Sequence, residues 1–220
     1  MRNKFDEQLT KLHDELSEMG QMCEEAISDA VRIFAENDKS LIEKTLMTDS
    51  EIDRKERQIE SLCMELLMRQ QPVARDLREI SSALKMISDM ERIGDQAADI
   101  AEITRHMTAV TDKCKDHVQK MAAEAISMVK DSVTSFINKD LELAWRVMAY
   151  DDVVDEWFDK MREELINAVK TDSEESSYYI DLLMICKYLE RIGDHATNIA
   201  EWVEYSITGV HSKDGQKQQG

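Results

Sequence analysis

The chain has 220 residues, of which 42% are apolar but only 5% aromatic, with 6 glycines, 1 proline and a formal net charge of −18. So few chain breakers among so many helix formers point to an all-α protein, long enough for one large domain or two small ones. The charge argues against nucleic acid, whose affinity depends on Lys and Arg neutralising phosphates, and against docking on an anionic membrane by charge alone; it suits cations or basic protein surfaces.

The opening "MRNKFDEQL" lacks the apolar core of a signal peptide, and no apolar run approaches the ~18 residues of a membrane span, so a cytoplasmic location without membrane insertion is expected. Cys23, Cys63, Cys114 and Cys186 stand far apart with no CxxC pair, which predicts reduced, buried thiols.

In the first helical pattern Phe5, Leu9, Leu12, Leu16, Met19, Cys23, Ala26, Ala30 and Ile33 recur at alternating steps of four and three, the seam of a long helix packed nearly along its neighbours. A break at Glu36–Ser40 starts a second helix that runs to about Gln70. Pro72, which has no N–H to give, marks the turn into a third helix from about Val73 to Met107. The plan then repeats. A fourth helix starts near Lys113 and a fifth near Asp140. A turn at Thr171–Ser176 follows, with Asp172 or Ser173 as the N-cap, and a sixth helix spans about Glu174 to Ile207.

The repetition extends to the residues. "ERIGD" at Glu91 returns at Glu190, and Asp29–Asp53 aligns with Asp131–Asp155 through Val31/Val133, Phe34/Phe136, Asp38/Asp140, Leu41/Leu143, Asp49/Asp151 and Asp53/Asp155. Two copies of this length predict tandem three-helix bundles, 1–109 and 110–207, rather than a solenoid, with a polar and disordered tail at 208–220.

Acids interrupt the apolar rows. Glu91 falls where the row Leu77, Ile80, Leu84, Ile87 needs an apolar residue, and Glu190 does the same in the sixth helix. Asp49 and Glu56 stand in the row of the second helix, and Asp151 in that of the fifth. Asp53 and Glu91 are equidistant from Pro72, as are Asp49 and Asp95; Asp155 and Glu190, and Asp151 and Asp194, are equidistant from the Asp172–Ser173 junction. In antiparallel hairpins these residues share a level, so four carboxylates converge in each half, about 20 residues or ~30 Å from the turn.

A carboxylate on a seam needs a proton, an arginine, a metal or water. Hard oxygen donors gathered in this way suit Fe, Mn, Mg, Ca or Zn, and the plainer alternative is pairing with Arg92 and Arg191. Asp99 extends the first motif by a turn, whereas Asn198 stands at the matching place. Gly94 and Gly193 read as close packing or as room for a metal cluster. His195, matched by Gln96, reads as a surface residue rather than a ligand, and His13, His106, His117 and His211 do not cluster.

"QPVARDLREISSALKMISDMERIGDQAADIAE" and "YLERIGDHATNIAE" resemble the PhoU family of phosphate-specific transport accessory proteins, over nearly the whole chain up to the tail. The resemblance implies two three-helix bundles, frequently dimeric, with metal clusters at the E(D)xxxD motifs: Asp49, Asp53, Glu91, Asp95 and Asp99 in one half, Asp151, Asp155, Glu190 and Asp194 in the other. It implies repression of the phosphate-starvation response and a bridge between the ATPase of the phosphate ABC transporter and a sensor histidine kinase. The second half departs from the pattern, since "TDSEESSYYIDLLMI" lacks "QPxAxDLR".

Three readings compete. A regulatory adaptor agrees with the resemblance. A carboxylate-bridged metalloenzyme requires Glu-x-x-His, yet Gly94 and Gly193 stand three residues after Glu91 and Glu190, and no nucleophile arrangement or phosphate loop is present. A helical spacer makes the acids solvated faces.

Overall fold

A computed structural model describes residues 2–69, 72–107, 112–171 and 175–211. Among these are six α-helices: α1 (Arg2–Glu36), α2 (Ile42–Arg69), α3 (Ala74–Thr104), α4 (Asp112–Asn138), α5 (Leu141–Thr171) and α6 (Ser176–Thr208), with a 3-10 turn at Lys39–Leu41. The expected caps at Asp172 and Ser173, the boundary between 109 and 110 and most of the tail lie outside the described residues.

Local chemistry sets the helix ends, and the two halves repeat it. Asn37 and Lys139, each just past the end of a first helix, both take φ 54. In the next position Asp38 accepts from Ser40 N at 3.2 Å, and Asp140 accepts from Leu143 N at 3.0 Å to cap α5. After Pro72 the Asp76 carboxylate accepts the Val73 N–H at 3.3 Å, and Gly209 closes α6 in the left-handed region at φ 79.

Each half is a three-helix bundle, and the bundles are fused. α3 packs on α1, α2 and α6; α6 packs on α3, α4 and α5; α1 packs on α4. The four helices α1, α3, α6 and α4 thus form the centre, with α2 and α5 outside. One apolar core runs from Phe5 to Val203 and takes in Phe34 and Phe136, the largest fully buried side chains of each half. α3 and α6 run antiparallel, since Arg78 near the start of α3 donates to the Ser206 carbonyl near the end of α6.

Polar bonds tie the halves within this interface. The buried Glu79 carboxylate receives His13 Nε2 at 2.9 Å and Lys139 Nζ, from the other half, at 2.8 Å. Burial opposes ionisation of Glu79, but these two bonds hold its carboxyl below the usual range.

The seam of α1 is as the heptad spacing predicts, buried from Leu12 to Ile33. Leu77 is not on the core row of α3, being 45% exposed, because Ile80, Ala83, Met86 and Met90 carry that row. Cys23, Cys63 and Cys186 are buried and Cys114 is half-buried, and all are free thiols.

Candidate metal centres in the two halves

In the first half α2 presents Asp49, Asp53 and Glu56, and α3 presents Glu91, Asp95 and Asp99. Residues four apart lie one turn apart on one face, so each helix contributes a ladder of acids. The ladders meet. Asp49 is pushed up to about 6, first by partial burial and then by Asp95, Asp53 and Asp99. Burial also raises Glu91, with help from Asp95, Glu56 and Asp53, and it raises Asp95, with help from Asp53 and Asp99. Asp49 Oδ1 is buried and has no hydrogen-bond partner among the described residues.

Gly94 makes this approach feasible. A Cβ there would lie 3.0 Å from Ile52 Cδ1 and 3.1 Å from Asp49 Oδ1. The close-packing reading of the glycine therefore holds: it lets α2 close on α3, with Asp49 and Ile52 against it.

In the second half α5 supplies Asp151 and Asp155, and α6 supplies Glu190 and Asp194. One carboxylate oxygen from each of Asp155, Glu190 and Asp194 lies within 4.8 Å of the other two, the one such trio of His, Cys, Asp or Glu among the described residues. Asp194 is pushed up to about 6 by partial burial and then by Glu190, Asp151 and Asp155. Burial raises Asp151 too, against a bond from Thr197 Oγ1 at 3.1 Å. Glu190 Oε2 is buried without a hydrogen-bond partner among the described residues, while Glu190 Oε1 receives Lys187 Nζ at 2.5 Å. The packing at Gly193 is looser, with Val154 Cγ1 at 3.5 Å from a built Cβ.

The acids sit on the rim of the seam, not inside it. Asp95, Asp99, Asp155 and Asp194 are exposed, and Asp49, Asp53, Glu91, Asp151 and Glu190 are half-buried. The reason is that Met90, Ile93 and Ala97 in α3, and Leu189, Ile192 and Ala196 in α6, fill the core, which leaves the acid row on the water-facing edge of the hairpin.

Arg92 and Arg191 are exposed and make no ion pair with these acids among the described residues. Besides Lys187, the acids are touched by Arg57, 3.9 Å from Asp53 on an open helix surface, where such pairs contribute little. His195 is buried, not at the surface: its Nδ1 lies 2.9 Å from Asp89 Oδ1, which also receives Asn198 Nδ2 at 3.3 Å. Asp99, the partner of Asn198 in the repeat, is bonded by the Tyr188 hydroxyl across the same interface. It thus divides its role between the acid cluster and the contact of α3 with α6.

The sequence model of the PhoU domain matches residues 16–104 and again residues 118–203. The chain belongs to the PhoU family. A phosphate-specific transport system accessory protein PhoU homolog of Clostridium acetobutylicum is 36% identical over 212 residues, covering 94% of this chain and 96% of the relative. The homolog of Pseudomonas aeruginosa is 32% identical over 209 residues, 94% of this chain and 86% of the relative. The crystal structure of PhoU from Pseudomonas aeruginosa superposes with a TM-score of 0.89 at 32% identity, over 94% of this chain and 100% of that one. The phosphate transport system regulatory protein PhoU from Streptococcus pneumoniae superposes with a TM-score of 0.85 at 28% identity, over 94% and 98%.

Sequence reasoning noted Glu56 as an acid in the row of α2 without placing it in the site, and it missed Lys187, Tyr188 and Thr197. Glu56 stood in the row of α2, and Lys187 stood three residues before Glu190, a spacing that places both on one helix face. Tyr188 and Thr197 carried no such signal.

Proposed function

We propose that this PhoU-family chain is a regulatory adaptor of phosphate homeostasis, which restrains the phosphate-starvation response and modulates uptake through a phosphate ABC transporter. The observation that carries the reading is the PhoU domain matched twice in this chain, whose relatives are named as accessory and regulatory proteins of phosphate transport. The residues agree: the acids lack the Glu-x-x-His pairing of a di-iron oxidase, and Gly94 and Gly193 stand in the places of the histidines. The proposal therefore assigns no catalysis.

The donor set fits a hard cation such as Fe, Mn, Mg or Zn, and Asp49 Oδ1 and Glu190 Oε2, unpartnered among the described residues, point the same way. Asp49, Asp53, Glu91 and Asp95, with Asp99 beside them, would hold metal in the first half; Asp151, Asp155, Glu190 and Asp194 would hold it in the second. A bound ion would neutralise the carboxylates and fix α2 to α3 and α5 to α6. We further assign a cytoplasmic place, a homodimer, and contacts with the transporter ATPase and a phosphate-sensing histidine kinase. No helix among the described residues is long and apolar enough to cross a membrane.

Deleting the gene should derepress phosphate-starvation promoters in phosphate-rich medium, and affinity capture from replete and starved cells should recover the ATPase or the kinase. An unaltered phosphate response, with no paralogue compensating, would count against the assignment.

A further inference from the structure

The two halves answer the repulsion among their acids differently. In the second half Lys187 Nζ bonds Glu190 Oε1 at 2.5 Å and stands over the Phe158 ring at 5.1 Å. In the first half the matching residues are Ser88 and Glu56, and Ser88 Oγ donates to Glu56 Oε1 at 3.2 Å. One corner of the hairpin thus carries an aromatic ring and an ammonium in one half, and a hydroxyl and a further carboxylate in the other.

From this we infer that Lys187 is a built-in counter-cation of the second acid cluster, one that a metal ion must displace, so that the chain takes up metal in two steps, first cluster before second. The inference rests on the reading of both clusters as metal sites. Lys187 reaches one member of the trio Asp155, Glu190 and Asp194, whose oxygens gather within 4.8 Å, and so places a cation at the edge of that cluster. Phe158 holds that cation in place by facing it with its ring. The first cluster has Glu56 where the second has Phe158; among the described residues its one ion pair is Arg57 to Asp53 at 3.9 Å on the open surface, with Arg92 acting on Glu91 and Asp95 from further off. Its six acids therefore depend more on an outside cation. Lys187 itself is 42% exposed and sits on a flexible stem, so it can leave Glu190 for water without unpacking a helix. Glu190 Oε2, buried and without a hydrogen-bond partner among the described residues, would gain its partner from the ion once Lys187 has left.

The test is a Mn2+ titration of the full chain followed by electron paramagnetic resonance. Glu91→Gln with Asp95→Asn silences the first cluster, and Lys187→Met is then compared with Lys187→Arg on that background, with helicity checked by circular dichroism. Removing a competing cation and its repulsion should tighten Mn2+ binding by about tenfold in Lys187→Met, and Lys187→Arg should stay near the parent. In chelator-treated protein Lys187→Met should lower the melting temperature, and Mn2+ should restore it. Unchanged or weaker binding in a folded Lys187→Met, while the parent binds Mn2+, overturns the inference and leaves the metal reading intact. Absence of Mn2+ binding by the unmodified chain at either cluster overturns both.

Discussion

The first and second halves share a plan down to a left-handed residue at the same corner, Asn37 in one and Lys139 in the other, yet they treat their acids unequally. The first crowds six carboxylates at the α2–α3 edge and packs Gly94 tightly under Asp49. The second holds four, softened by Lys187 and Thr197, over a looser Gly193. A duplicated fold can thus keep its core symmetric while its sites diverge, because the core answers to shape and the rim to charge.

The symmetry of the core can be broken most forcefully at Phe34 and Phe136. Each is fully buried in the one shared core, so Phe34→Ala and Phe136→Ala should each cost about 3–5 kcal/mol. Denaturant unfolding followed by circular dichroism should remain a single transition in both variants. Two transitions, with one half surviving, would mean that the halves fold independently.

Smaller effects come from the glycines, where the halves should part. At Gly94 a methyl group would press on Ile52 and Asp49, and Gly94→Ala should destabilise by about 1–3 kcal/mol despite the better helix propensity. At Gly193 the neighbours are at ordinary contact distance, so Gly193→Ala should be neutral or stabilise by up to ~1 kcal/mol. Equal effects in chemical denaturation would remove the difference in packing claimed for the two rims.

The smallest expected effect is the pH dependence of chelator-treated protein. Asp49 and Asp194 are raised to about 6, and Glu91, Asp95 and Asp151 are raised as well. A carboxyl raised in the folded state binds protons more readily than in the unfolded chain, so it favours folding at low pH. That contribution fades as pH rises from the ordinary carboxylate value, about 4, through 6. Glu79, held low, loses its contribution only below that window. The metal-free melting temperature should therefore fall by about 2–5 °C between pH 5 and pH 7. Asp49→Asn and Asp194→Asn should each flatten part of that slope. With metal the slope should reverse, because acid protonates the ligands.

Much of this was readable in the chain. The heptad of α1, the turn at Pro72 and the equal spacing of the acids about each turn gave the hairpins and the level at which the acids meet. Equal spacing works because rise per residue is the same on both helices. What remained hidden was the contact between halves. Periodicity says which face of α3 and α6 is apolar but not which helix covers it, so His195 read as surface although Asp89, 106 positions away, buries it. The rim placement of the acids was hidden likewise, since an apolar stripe has edges that a single row of residues does not reveal.

Each half is proposed to hold metal through its own acids. Metal content per chain, measured by plasma mass spectrometry on protein purified without added chelator, tests it most directly. Asp49→Asn with Asp95→Asn should remove the metal of the first half, Asp155→Asn with Asp194→Asn that of the second, and all four together should leave a folded helical protein with none. Unaltered stoichiometry in the fourfold variant would contradict the account.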